Sequence, residues 1–442
     1  MAHLLTHGLR VVPFRGLRFD PSQVRDPAAV TSPPYDMIGP EEARRLADTE
    51  EHNVVRLILP GPDENEPGTR YRRAASSLAA WIADGALKLD VEPAFYIYEQ
   101  SGPSGRQRGL IALIRLDDDG STAARRSMLP HEAVVGVVVD DRLAQMRATG
   151  ANIEPILLTY SGDGAASDAV DRTADSTAPM SATDTGDGTC HRLWAVTDPG
   201  EIARVTADLL EHRALIADGH HRHAAYVKLR AEIESGTGDG TDGGTGGGPG
   251  GEHAAAYGLA LLVDTARYPL SLHAIHRVLP SVPLAAAVAA AAEYFTASEI
   301  PADGREAESL ESVPADEPAF VLSDGTRSWL LTDPDSAALA SSIPADRPES
   351  WRRLDATVLQ YLLVETVWQL PDTIEEVRFD HDPGHAVESA ATVGGTAVLL
   401  RPTTEAVVRE LAASGILMPR KSTAFGPKPA TGLVMRLLHD QD

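Results

Sequence analysis

The chain is poor in three kinds of residue or pattern that often declare a function. It carries one cysteine in 442 residues, Cys190, so no internal disulfide can form. The surrounding "TDTGDGTCHRLW" gives that thiol no activating partner. No apolar run reaches about 18 residues, and the opening "MAHLLTHGLRVVPF" lacks the basic start and sustained apolar core of a secretion signal. These absences predict a cytoplasmic protein with no membrane span. The third scarcity is lysine: only Lys88, Lys228, Lys421 and Lys428 occur, and the net charge is −25. Such acidity argues against non-specific capture of DNA, RNA or anionic lipid, which depends on clustered Lys and Arg. A small phosphorylated ligand in a local basic pocket stays compatible with it.

What is present is a 43% hydrophobic chain, long enough for two or three domains with real cores. Pattern and punctuation predict an α+β protein of mixed sheets with hairpins and flanking helices. Its expected parts are an N-terminal α/β region (1–160), a flexible insertion (161–189), a central region (190–264) and a C-terminal α+β region (265–442). The insertion and a Gly-rich loop at 235–252 hold few large apolar side chains to offset the entropy of ordering. "NVVRLILP" (53–60) reads as a strand and 68–87 as a helix. Residues 94–116 read as a hairpin and 140–149 as a short helix. Residues 317–332 form a hairpin with an Asp-Gly turn, and 403–415 a helix with Thr and Gly at its ends.

The densest chemistry is "ALIADGHHRHAAYVKL", residues 214–229. An apolar strand ends at Ala217, Asp218-Gly219 makes the turn, and helical spacing begins with His220, His221 and Arg222. Free amides and the positive end of a helix dipole favour an anion there, and Arg222 adds a bidentate donor for phosphate. The alternatives are an Asp that merely caps the helix, or a metal centre drawing on His131, His220, His221 and His223. No H-E-x-x-H follows His131, where the sequence runs "HEAVV". A second candidate is "MPRKSTAFGPKPATG" (418–432), where Lys421, Ser422, Thr423 and Lys428 suit anion capture, although the Walker A spacing is missing. Arg15, Arg18, Tyr35 and Asp36 lie in Pro-rich irregular segments that commonly present ligand contacts. Glu132 adds a carboxylate, and Asp141-Arg142 reads as a structural pair.

Taken together, "PFRGLRFDP", "SPPYD", "NVVRLILP", "AFYIYEQ", "LPHE", "DRLAQMRATGANIEPILLTY", "ADGHHRHAAY", "HRVL" and "MPRKSTAFGPKPATGL" resemble a bacterial and archaeal family numbered 1015 among the domains of unknown function. The family usually has an aromatic at the position of His223 and Glu at that of Ala224. "DGHHR" also resembles the turn of the ParB and sulfiredoxin-like fold, including its free-serine kinase branch. That resemblance implies a ParB/sulfiredoxin-like core in which Asp218, Gly219, His220, His221 and Arg222 form a phosphate-binding turn. The resulting expectation is a phosphate- or nucleotide-binding enzyme, a phosphotransferase acting on a small molecule with ATP or ADP and Mg²⁺. In it, Arg222, His220, Lys421 and Lys428 are the cations, Glu132 or Asp218 is the base, and His221 orients the phosphate. A metal-dependent phosphoester hydrolase and a non-enzymatic nucleotide-sensing regulator are the other readings.

Overall fold

The computed structural model describes residues 8–63, 66–103, 105–118, 120–236, 252–371, 373 and 375–439. The chain divides into two units, Met1–Leu270 with Pro427–Asp442, and Ser271–Gly426. The first unit is therefore closed by the last residues of the chain, a return the expected partition at 160, 189 and 264 did not contain.

A nine-stranded mixed sheet organises the first unit. Its strands are β1 (Val11–Val12), β2 (Phe95–Gly102), β3 (Gly105–Arg115), β4 (Met128–Leu129), β5 (Ile156–Tyr160), β6 (Ser181–Asp184), β7 (Cys190–Val196), β8 (Ala214–Asp218) and β9 (Tyr257–Asp264). Their order is β4-β8-β5-β9-β3-β2-β7-β6, with β1 added to β3. β8 runs parallel to β4, and β9 parallel to β5; the remaining pairs are antiparallel. Strand β9 is buried along its whole length, which accounts for its continuous apolar sequence "YGLALLVD".

Helices α1 (Thr69–Ala83), α2 (Gly136–Thr149), α3 (Ala165–Ser176), α4 (Pro199–Leu209) and α5 (His220–Glu234) belong to this unit. α2 packs along α5. Val139, Leu143 and Met146 from one, and Ala225, Tyr226 and Leu229 from the other, join the core that holds Ile156, Leu158 and Ile216 of the sheet.

Two expectations need correction. Residues 161–189 contain α3 and β6 rather than only loop. Ala166, Ala169 and Val170 are small but fall on one helical face and are buried, while Asp163, Asp168 and Asp171 are counterions to Arg267. The stretch 53–60 is not a strand but holds a short helical turn, Val55–Ile58, begun by Asn53 Oδ1 accepting from Val55 N at 2.9 Å. Val54, Val55, Leu57 and Ile58 are all buried, and a fully buried apolar run has no periodicity to separate strand from helix. The Gly-rich loop expected at 235–252 lies, apart from Ser235, Gly236 and Glu252, outside the described residues.

The second unit has a six-stranded antiparallel sheet. It includes the hairpin Phe320–Ser323 and Ser328–Thr332, whose Gly325 has φ 85° as an Asp-Gly turn requires. Helix Glu405–Ala413 starts where Thr404 Oγ1 accepts from Val407 N at 3.4 Å. Among the described residues no helix is long and apolar enough to cross a membrane.

Candidate functional site

β8 is buried through Ala217, and Asp218 emerges at its end half-buried. Gly219 turns the chain at φ 91°, in the left-handed region. A Cβ there would stand 3.0 Å from Ile156 Cγ2 and 3.2 Å from Ile156 Cα, so both backbone and space require glycine. α5 then begins at His220 with no side chain capping it. Its first-turn amides and dipole point out of the turn uncompensated by a side chain.

Five separate segments converge here. From the C-terminal return comes Lys428, whose Nζ lies 2.6 Å from Asp218 Oδ1 and 2.5 Å from Asp36 Oδ2. Burial pulls this ammonium down, but the two carboxylates outweigh it and its pKa is raised. Burial pushes the Asp36 carboxyl up, yet Lys428 and Arg222 hold it below the usual range. Arg222, one helical turn beyond Asp218, donates from Nη2 to Asp218 Oδ2 and from Nη1 to Pro155 O, both at 2.6 Å. Glu154 Oε1 accepts from Tyr35 N at 3.1 Å and from Thr431 Oγ1 at 3.3 Å. The Tyr35 ring sits under Arg142 and Arg222, 4.3 and 5.8 Å from its centroid.

This geometry revises the expected role of Arg222. Its guanidinium is 3% exposed, and both terminal nitrogens are bound within the protein. It is the brace of the turn, kept charged because Glu154, Asp218 and Asp36 together outweigh the cost of burial. Asp218, Tyr35, Asp36 and Lys428, read from the sequence as separate candidates, are brought together here. Glu154 and Thr431 were missed; the available signal was one carboxylate, in "NIEPILL", at the mouth of an apolar strand.

The histidines diverge. His220 is buried, and its Nε2 accepts from His131 N at 3.3 Å, while Nδ1 lies 4.0 Å from Glu132 Oε2. The His131 ring stands edge-on to it at 4.5 Å. Burial, then the neighbouring His131, His223, His221 and Lys428, push the His220 pKa well below 6.5, so it is neutral and not one of the expected cations. His221 Nε2 accepts from Val135 N at 3.0 Å. His223 faces Asp117, Arg126 and Arg230, and burial lowers its pKa to about 4. On the helix His221 projects about 100° away from His220, whereas His223 returns to within about 60° of it, so the three rings do not share one face. Among the described residues no group of three or more His, Cys, Asp or Glu side chains is placed to hold a metal ion, so the ligand set His131, His220, His221 and His223 is not assembled.

Other predicted ligand residues are engaged elsewhere. Arg15 Nε donates to Asp90 O at 2.8 Å, and Arg18 makes two bonds to the Asp90 carboxylate, at 2.9 and 2.6 Å. The basic loop is divided: Lys421, Ser422 and Thr423 belong to the second unit and Lys428 to the first. Lys421 has φ 53° and its carbonyl accepts from Arg277 Nη2 at 3.0 Å, while the buried Ser422 hydroxyl donates to Pro419 O at 2.6 Å.

Fold and site thus define an α+β protein whose candidate centre is a strand–Asp–Gly–helix turn closed by a lysine between two aspartates. The chain belongs to the family described as "Protein of unknown function (DUF1015)", which matches residues 11–357. That match stops short of the 418–432 segment. No curated protein matches the chain. Solved structures similar to it include a free serine kinase in complex with AMP, at 17% identity and a TM-score of 0.34, covering 72% of this chain and 90% of that one. SbnI with C-terminal truncation from Staphylococcus aureus is 11% identical with a TM-score of 0.36, covering 75% and 90%. A conserved hypothetical protein from Pyrococcus furiosus is 15% identical with a TM-score of 0.33, covering 72% and 94%.

Proposed function

We propose that the turn at 218–222 binds the phosphates of a nucleotide and that the protein transfers a phosphoryl group to a small molecule. The observation that carries this reading is the open N-terminus of α5 behind Gly219, next to a lysine kept charged between Asp36 and Asp218. Amide donors, a helix dipole and a fixed ammonium are the components that neutralise a phosphoryl group in flight. Asp218 and Glu132 are the carboxylates proposed to take the acceptor's proton, and Lys428 shields the phosphate from Asp36 and Asp218.

Three carboxylates, Asp36, Asp218 and Glu154, face two cations, Lys428 and Arg222. With Lys428 and Arg222 already paired to these carboxylates, a polyphosphate is favoured to arrive as its Mg²⁺ complex. The residues fit an ion carried in on phosphate oxygens, with one or two carboxylates completing its shell, better than a resident metal. Bound there, Mg²⁺ would supply charge neutralisation between the phosphates.

The test is a thermal-shift screen of the full chain against ATP, ADP, CTP, GTP and pyrophosphate, with and without Mg²⁺. A ligand that binds only the folded state raises the melting temperature. Mg²⁺-dependent stabilisation by a nucleotide supports the reading, and no shift from any of them in folded protein contradicts it.

A further inference from the structure

We propose that His220 and His221 are positioning residues: their Nε2 lone pairs clasp the segment 131–135 onto the first turn of α5 and thereby fix Glu132 beside the turn. Two consecutive imidazoles accept from two amides of the same short segment, His131 N to His220 at 3.3 Å and Val135 N to His221 at 3.0 Å. The segment joins β4 to α2, and apolar burial does little to hold its far end. Val134 and Val135 are each 44% exposed and Val137 is 73% exposed. Val135 is also the N-cap of α2, where its side chain offers no acceptor.

An imidazole nitrogen that accepts a hydrogen bond carries no proton, so both rings are held neutral with the proton on Nδ1. For His220 that N–H faces Glu132 Oε2, 4.0 Å away. The other groups around His220 are His131, His223, His221 and Lys428, and each disfavours a second proton on it. Neither histidine then supplies positive charge to a phosphate. The carboxylate they position is Glu132, and this role deepens the proposed phosphoryl transfer and rests on it.

The experiment reads the unliganded full chain, so it stands apart from whether any nucleotide binds. Long-range proton–nitrogen correlation spectra of protein labelled with ¹⁵N in its histidines report the tautomer of each ring, with His220→Gln and His221→Gln assigning the two signals. Both rings are expected as Nδ1–H tautomers at pH 7.5, with His220 still neutral at pH 6. In parallel, His221→Ala should speed amide exchange at Val135 about fivefold or more, the loss of one ordinary hydrogen bond. His221→Gln, whose side-chain oxygen can reach the Nε2 position, should restore protection. An Nε2–H tautomer or an imidazolium at either position at pH 7.5, or Val135 exchange unchanged by His221→Ala, would overturn the clasp.

Discussion

Lys428 Nζ and Asp218 Oδ1 lie 2.6 Å apart, joining the end of the chain to the end of a central strand. Because the same ammonium also meets Asp36, its removal leaves two carboxylates facing each other in a partly dry site. Lys428→Met should therefore cost about 2–3 kcal/mol in urea unfolding at pH 7.5. The deficit should narrow toward pH 4, where the orphaned carboxylates can take up protons. An unfolding curve like that of the unmodified chain would show that the bridge is only a surface contact.

Gly219→Ala should destabilise by about 2 kcal/mol, since alanine must adopt φ 91° with its Cβ pressed on Ile156. Its nucleotide-dependent thermal shift should be lost as well, because the turn that aims the α5 amides is displaced. Retention of both properties would place the ligand elsewhere.

Arg222 behaves differently from an exposed phosphate ligand. Arg222→Ala leaves Asp218 short of one partner and Pro155 O without its donor, so the expected first effect is a stability loss of about 3–5 kcal/mol. Arg222→Lys cannot span both acceptors and should recover only part of it. If Arg222→Ala unfolds like the parent chain but fails to bind nucleotide, the arginine is a ligand after all.

Two histidines, the buried His131 and the half-buried His223, set an acid limit. His131 and His223 have pKa values near 4 in the fold against 6.5 when unfolded, chiefly because burial disfavours their charged forms. Between those values the unfolded chain binds more protons, so stability falls as pH drops below 6.5 and levels off near pH 4. His131, at 1% exposure, should contribute on the order of 3 kcal/mol to that fall. Urea midpoints at pH 7.5, 6.0 and 5.0 check this, and a flat profile across that range would contradict it.

The turn was legible in the sequence because its parts are local: an apolar strand, Asp218-Gly219 and helical spacing adjoin one another. The α+β class and several elements after residue 280 were legible for the same reason. What sequence could not show was long-range partnership. Arg222 reads as a free phosphate donor until Pro155 is seen beside it. His220 reads as a cation until its burial and the amide of His131 are seen. Lys421 and Lys428 look like one loop, yet they fall in different units. The segment 161–189 was misread because Ala, Ser and Asp in one helix resemble a linker by composition, whereas their spacing buries one face and aims the other at Arg267.

The most direct measurement is a titration of ADP with Mg²⁺ into the ¹⁵N-labelled chain, followed through the backbone amide signals of Gly219, His220, His221 and Arg222. A phosphate held at the start of α5 predicts large, saturable shifts of those amides. Saturable shifts confined to other residues, or none at all in folded protein, would contradict a phosphate site at this turn.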